Sequence, residues 1–371
     1  MTNKTLNIVS FDVPFPANYG GAIDVFYKLK ALNLEGIKII LHTFEYGRGE
    51  QKELEKYCEK IFYYKRKIKF KNTFSSLPFI VKTRANKELT SNLLANNYPI
   101  LFEGIHSTFP LIKTKFKDRI VIIRAHNIEH NYYKGLSRSE SNKFKKLFFR
   151  LESMKLHKYQ KILNKADYIL SISPSEQDYF ASIFSKKSFY LPAFHNHSEV
   201  NAKIGKGYFA LYHGDLRVPD NIRACFYLTK IFSAISYPLI IASDYSNPKL
   251  ENLIKKSNNI EFKRLSTNEE LDELIRDAHI NILPTFQNTG IKLKLINVLF
   301  SGRFCLVNNK MIQNTGLEKL CVIANSKKEF IEKISEIVGK DFTEKHIVER
   351  KNTLNSFNTL VNAKKIIELF N

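Results

Sequence analysis

No stretch of this 371-residue chain approaches the ~18–20 consecutive apolar residues of a membrane-spanning helix, so a helical integral membrane protein is excluded. The opening residues, MTNKTLNIVSFD, carry no signal segment and run straight into a β-rich stretch. Cys58, Cys225, Cys305 and Cys321 are scattered, with neither metal-ligand spacing nor a disulfide pattern, and a reducing, cytoplasmic setting is the expectation. The dinucleotide fingerprint Gly-x-Gly-x-x-Gly is absent. So are short-period repeats, low-complexity tracts, the tandem aromatic motif of RNA-binding sheets and any recognisable helix-turn-helix.

What is abundant is positive charge. The net charge is +22, of which residues 1–200 carry +15 and the remainder +7. Such a surplus calls for an anionic partner: nucleic acid, anionic lipid or a nucleotide-activated substrate. A lysine-rich composition common to the source would look the same. The length and a hydrophobic content of 44% suit two α/β domains of ordinary size.

Leu6 to Phe11 reads as a strand, followed by DVPFPANYGG and a helix from about Ala22 to Leu34. The paired Gly20 and Gly21 can bring backbone amides close to a ligand. Ile37–His42, Pro99–Glu103, Ile120–Arg124 and Tyr168–Ser173 read as further buried strands, and their alternation with helices argues for a doubly wound sheet. Past the third of these comes AHNIEH, which with Arg124 gathers His126, Asn127, Glu129 and His130 where α/β folds place ligands. Residues 60–71 interleave Lys and Arg with aromatics, suiting a membrane surface, nucleic acid or an exposed strand and its loop. From Ser139 to about Asn164 runs one helical pattern, with Phe144, Leu147, Phe148 and Leu151 as an apolar stripe beside many lysines. Two readings stand: a core-packed helix with a solvated basic face, or a membrane-surface element.

The polar run His195–Gly207 reads as an interdomain linker. A second strand–helix series follows, opening on Tyr208–His213 and GDLRVPDN, with strands at Leu239–Ala242, Ile260–Phe262, Ile280–Leu283 and Phe304–Val307. Helices are expected at 269–278, 326–338 and 353–369. The stretch Asn288–Asn297 (NTGIKLKLIN) reads as a glycine turn leading from a strand into a helix, with Lys292 one turn in. Unpaired amides at such a helix start, together with one lysine, suit a phosphate or diphosphate. An ordinary strand-to-helix turn would have the same spacing. The expected division is 1–200 and 207–350, with a C-terminal helix at 353–370 able to pack back on the first domain.

Taken together, the Gly20–Gly21 loop, RAHNIEH, YILSISPSE, HGDLRVPDN and ILPTFQNTGIKLKLINVLFSGRFCLV resemble the glycosyltransferases of the GT-B fold, in particular family four. The resemblance covers nearly the whole chain. It implies an α/β protein of two Rossmann-like domains facing across a cleft, and a retaining transfer of sugar from a nucleotide-sugar, UDP- or GDP-linked. By that resemblance Gly20 and Gly21 approach the donor diphosphate, with Lys292 neutralising it from the other side. Thr289, Gly290 and Ile291 belong to the same donor loop, Asn297 stands at the ribose-binding position and Arg264 at the nucleobase. His126 lies beside the reacting sugar, with Arg124, Asn127, Glu129 and His130 on the acceptor side. Two departures are plain: Thr289 and Asn297 occupy the family's two acidic positions, and Asp215 and Asp220 replace its diphosphate-binding Arg and Lys, leaving Arg217 to help Lys292.

No Asp-x-Asp occurs in the sequence, and a metal-free site without cofactor is the expectation. The basic N-terminal half suits a glycan or lipid-linked acceptor of a bacterial surface polysaccharide, presented on the inner face of the cell membrane. No nucleic-acid partner is expected. The rival readings are a non-catalytic relative that lost its donor site and a basic nucleic-acid-binding protein.

Overall fold

The computed structural model describes residues 4–140, 142–286, 293–313 and 315–370. It divides into two compact units, one of residues 1–196 with 356–371 and the other of residues 197–355. The first holds strands β1 (Thr5–Ser10), β2 (Lys38–Glu45), β3 (Lys60–Lys65), β4 (Ile100–Glu103), β5 (Val121–Ala125), β6 (Tyr168–Ser171) and β7 (Ser188–Tyr190). They form one parallel sheet in the order β3-β2-β1-β4-β5-β6-β7. The second holds β8 (Ala210–His213), β9 (Leu239–Ser243), β10 (Ile260–Arg264), β11 (Ile280–Leu283), β12 (Phe304–Val307) and β13 (Val322–Ile323), parallel in the order β10-β9-β8-β11-β12-β13. Each sheet therefore reverses its strand order once, between β1 and β4 and between β8 and β11. The crevice beyond the strand ends at such a reversal is where open α/β sheets bind ligands.

The strands read as continuous apolar runs because both faces are covered. Alternation along the strand separates two cores. Ile8, Leu101 and Ile122 face one layer with Leu29, Leu32, Ala363 and Ile366, whereas Val9, Phe102 and Ile123 face the other with Leu156 and Phe180. The first layer includes the helix Thr359–Glu368, which packs beside the helix Gly20–Leu34 within the first unit.

Two expected helices are interrupted. The pattern from Ser139 to Asn164 holds the last residue of one helix, Glu129–Ser139, the whole of another, Lys143–Tyr159, whose first turn is capped by the Asn142 side chain, and a 3-10 stretch at Gln160–Lys165. The C-terminal pattern likewise splits into Glu344–Leu354 and Thr359–Glu368, because the Asn358 carboxamide accepts from the amides of Leu360 and Val361 and restarts the chain. The core-packed reading of the 144–151 stripe is overturned. Phe144, Leu147 and Leu151 are exposed, and of the four only Phe148 packs inward, its ring 5.8 Å from that of Phe79. The helix Pro248–Ile254 and strand β13 are further elements of the second unit. Among the described residues no helix is long and apolar enough to cross a membrane.

Since Ile366 is fully buried against the first sheet, Ile366→Ala should lower the stability of the first unit by about 2–5 kcal/mol. A urea titration followed by circular dichroism measures this.

Candidate functional site

Beneath the C-terminal edge of the first sheet lies a group of buried charges. Lys28, on the inner face of the helix Gly20–Leu34, puts its ammonium 2.9 Å from Asp24 Oδ2 and 2.6 Å from Glu103 Oε1 at the end of β4. Arg124, from β5, donates to Asp24 Oδ1 at 3.2 Å and to the carbonyls of Leu191 and Pro192. The Phe194 amide supplies Asp24 with another donor at 2.8 Å. All four charged side chains are fully buried. Two carboxylates facing two fixed cations make the group neutral, the condition under which buried charges are tolerated. Burial alone would raise the Asp24 carboxyl, but Arg124 and Lys28 outweigh it and hold the group well below the usual carboxylate range. The same contest, won by Lys28 and His126, lowers Glu103.

His126 completes the group. Its Nε2 lies 2.9 Å from Glu103 Oε2. An ionised carboxylate only accepts, so Nε2 carries the proton, and in the neutral imidazole Nδ1 is then the acceptor. That Nδ1 is buried and has no partner among the described residues. Asp24, Glu103 and His126 bring one ligand atom each within 4.8 Å of one another, which is metal-like spacing. Here, however, the Lys28 ammonium already bridges both carboxylates, so the trio is an ion-pair network rather than a cation cradle.

Above His126 sits the loop after β1. The Phe11 ring lies 5.2 Å from the His126 ring, edge to face, and 5.3 Å from that of His106. Buried Arg84 fixes this loop by donating to the Phe11 carbonyl at 2.7 Å. The loop ends at Tyr19, whose hydroxyl goes to Asp12 at 2.7 Å and does not cap the helix; among the described residues no side chain does, and the first turn holds no acid. Gly20 and Gly21 thus open a helix whose first amides lack a side-chain partner. A Cβ on Gly21 would come within 2.7 Å of the Phe11 ring. Gly104, with φ +70°, is equally constrained, since a Cβ there would lie 2.7 Å from His106 Nδ1.

The acceptor-side candidates separate. Arg124 faces the interior, its donors spent on Asp24 and two carbonyls. Asn127, Glu129 and His130 line a small cavity with Ile105 and Leu156. His130 packs edge-on against His157, with centroids 4.8 Å apart, and near Tyr179. Burial pushes the Glu129 carboxyl up to about 8, and that of nearby Glu176 to about 7.

In the second unit, Thr289, Gly290, Ile291 and Lys292 lie outside the described residues. The helix that follows them, Leu293–Ser301, places the Lys294 ammonium 3.0 Å from Asn221 Oδ1 and over the Tyr212 ring. Asn221 also donates to the Asp215 carbonyl, stapling the loop after β8. His213, the last residue of β8, is buried with no partner for Nε2 among the described residues, and burial together with Lys294 pushes it down to about 3. Asp220 does not point outward: it accepts from Thr285 Oγ1 at 2.7 Å and from the Phe286 amide. Arg217 is held by Asp215 at 2.9 Å, with its guanidinium over Tyr245. Asn297 bonds His197 Nε2 through its amide oxygen at 3.1 Å, and Arg264 is exposed at the end of the edge strand β10.

The structure thus brings His126, Gly20 and Gly21 to one end of the first sheet, while Arg217, Asn297 and Arg264 occupy separate places in the second unit. Sequence reasoning missed Asp24, Lys28 and Glu103. The available signal was charge interrupting an apolar face: Asp24 and Lys28 stand at i, i+4 among Val25, Leu29 and Leu32, and Glu103 ends the run Pro-Ile-Leu-Phe. Lys294 lay in plain view in the lysine-rich block but was given no role.

No protein-family model matches the chain. A Klebsiella pneumoniae protein described as an uncharacterized 44.6 kDa protein in the cps region is 27% identical over 346 residues, covering 86% of this chain and 87% of that one. Among solved structures, TarM matches at TM-score 0.68 and 11% identity over 100% of this chain and 99% of its own. The lipopolysaccharide outer core galactosyltransferase WaaB matches at 0.66 and 12%, covering 99% and 98%. A glycosyltransferase from Rickettsia africae also matches at 0.66, with 16% identity, covering 100% and 98%. These likenesses establish the fold: two parallel-sheet α/β domains of the GT-B type.

Removing the shared cation should be costly. Lys28→Met leaves two buried carboxylates facing each other and should destabilise the protein by about 3–5 kcal/mol in denaturant titrations at neutral pH. The Glu129 carboxyl acts on stability in the opposite pH direction to Asp24. The unfolded chain releases its proton near 4.5 and the folded chain near 8, so the folded state holds more protons between these values and stability falls as pH rises through that window. Glu129→Gln should flatten this decline in the thermal midpoint, leaving the smaller share due to Glu176.

Proposed function

We propose that the chain is a metal-independent, retaining glycosyltransferase of the family-four kind, moving a sugar from a UDP- or GDP-sugar to a glycan or lipid-linked acceptor in bacterial surface-polysaccharide synthesis. The observation that carries the reading is His126 itself. Its ring is fixed through Nε2 by Glu103, its Nδ1 has no partner among the described residues, and it lies next to Phe11, whose ring packs against the glycine-opened helix start. The fold likeness to TarM, a Staphylococcus aureus form of which is described in complex with UDP, and to the galactosyltransferase WaaB supports the donor class. The cps-region relative supports the polysaccharide setting.

The chemistry is displacement of a nucleoside diphosphate from the anomeric carbon through an oxocarbenium-like transition state. Negative charge grows on the leaving phosphate, where amides at Gly20–Gly21 and the Lys292 ammonium stabilise it as it develops. The leaving phosphate helps to deprotonate the acceptor, so retention needs no separate base. His126 Nδ1 accepts from a sugar or acceptor hydroxyl and sets its position. Arg217 and Arg264 assist the diphosphate and nucleobase, Thr289, Gly290 and Ile291 line the donor loop, and Asn297 keeps its amide NH₂ for the ribose. Asn127, Glu129 and His130 shape the acceptor side from beneath, with Arg124 as structural support.

The second reading, a non-catalytic relative, is favoured by one observation: Asn297 and Asp220 are both engaged internally, with His197 and with Thr285. Calorimetry with UDP-, GDP- and ADP-sugars separates the two. Binding of one donor, abolished by Lys292→Ala, supports transfer; the absence of any donor binding supports the second reading. His126→Ala should then lower kcat by about 100-fold or more while leaving the donor Kd nearly unchanged, measured by release of the nucleoside diphosphate.

A further inference from the structure

Two segments far apart in sequence meet on one side of the first unit. The turn after β3 exposes Ile68, Phe70 and Phe74, at 56%, 81% and 78% of their full surface. The helix Lys143–Tyr159 exposes Phe144 at 86%, together with Leu147, Leu151 and Met154 at about half each. The spacing 144, 147, 151, 154 keeps these four on one helical face. The segments are joined: Lys155 of the helix donates to the carbonyls of Thr73 and Ser75, and Phe148 packs on Phe79. Exposed apolar side chains in this number mark an interaction site rather than ordinary surface.

The charge around them has one sign. Lys67, Lys69 and Lys71 flank the phenylalanines of the turn, and Lys143, Arg150 and Lys158 border the helical stripe, all exposed. No acidic residue occurs between Glu59 and Glu88, and between Glu140 and Asp167 there is only Glu152. Glu152 is fully buried, its carboxylate accepting from the Phe79 amide and pairing with Lys155. Within these two segments, residues 60–87 and 142–166, the cations facing solvent have no exposed carboxylate among them, and Glu140 at the helix start accepts from the Asn142 amide.

We infer that this face docks on an anionic phospholipid bilayer, with Phe70, Phe74, Phe144 and Leu147 entering the headgroup boundary and the lysines lying against lipid phosphates. The chemistry favours lipid over nucleic acid, because Leu147, Leu151 and Met154 gain from hydrocarbon but have no base to stack on. The inference deepens the reading above by saying where a lipid-linked acceptor meets the protein: the helix Glu129–Ser139 begins three residues after His126 and packs on the Lys143–Tyr159 helix. It rests on that reading only for its purpose. Vesicle binding needs no donor, so the two fail separately.

Sedimentation of the full chain with vesicles tests it. Phosphatidylglycerol–phosphatidylcholine vesicles at low salt should retain the protein at least about tenfold better than phosphatidylcholine alone, and added salt should weaken the difference. The pairs Phe70→Ser with Phe74→Ser and Phe144→Ser with Leu147→Ser should each reduce partitioning about tenfold. Both pairs change exposed side chains, so circular dichroism and the thermal midpoint should match the wild type. The proposal is overturned if the wild type ignores anionic vesicles, if the serine variants partition as it does, or if generic DNA or RNA binds more tightly than the vesicles.

Discussion

A lysine held between two buried carboxylates is the constraint on which the first unit depends. Lys28 joins a helix to the end of β4, and Asp24 joins the same helix to β5 and to the chain after β7. Four elements are thereby fixed at the edge where the sheet reverses its strand order. A hydrophobic cluster could have given comparable stability, since buried ion pairs contribute little beyond their apolar equivalents. What an apolar cluster cannot do is offer a carboxylate oxygen to an imidazole. Glu103 does both tasks at once, taking Lys28 on one oxygen and His126 on the other.

The second unit repeats the topology with different means. Its equivalent edge is tied by neutral or singly charged groups: Asn221 bridges the loop after β8 to Lys294, and Asp220 ties the following helix to Thr285. No buried group of four charges lies there among the described residues. The two aspartates beside this edge are both engaged locally, Asp215 by Arg217 and Asp220 by Thr285. The two contacts leave the loop after β8 and the start of the helix behind it tied down.

Much of the fold was legible because parallel strands covered on both faces announce themselves as apolar runs, and eleven of the thirteen strands among the described residues coincide with such runs or with the basic aromatic stretch at 60–71. The three-residue β7 and the two-residue β13 are too short to carry a pattern. Helix breaks at Asn142 and Asn358 were hidden, since an asparagine inside a periodic stretch is a cap only when the backbone leaves the helix there. His126 could be singled out from its position past β5. Glu103, Lys28 and Asp24 could not, because their meaning lies in contacts 75 to 100 residues apart in sequence. The exposure of Phe144 and Leu147 was equally hidden: an amphipathic stripe shows that a face is apolar, never what covers it.

The orientation of His126 follows from sheet register rather than from its own loop. β4 and β5 pair in parallel with Glu103 opposite Arg124, so the last residue of one strand stands two positions short of the imidazole on the other. Strand side chains alternate faces, and a one-residue slip would send Glu103 to the opposite layer, into the apolar core around Phe102 and Ile123. That slip would strand a carboxylate among hydrocarbon and leave Lys28 without a partner, a penalty of several kcal/mol. The buried charges therefore enforce the register, and the register aims Nδ1. A residue with no contact to any substrate, Lys28, thus acts on the proposed chemistry through the pairing of two strands.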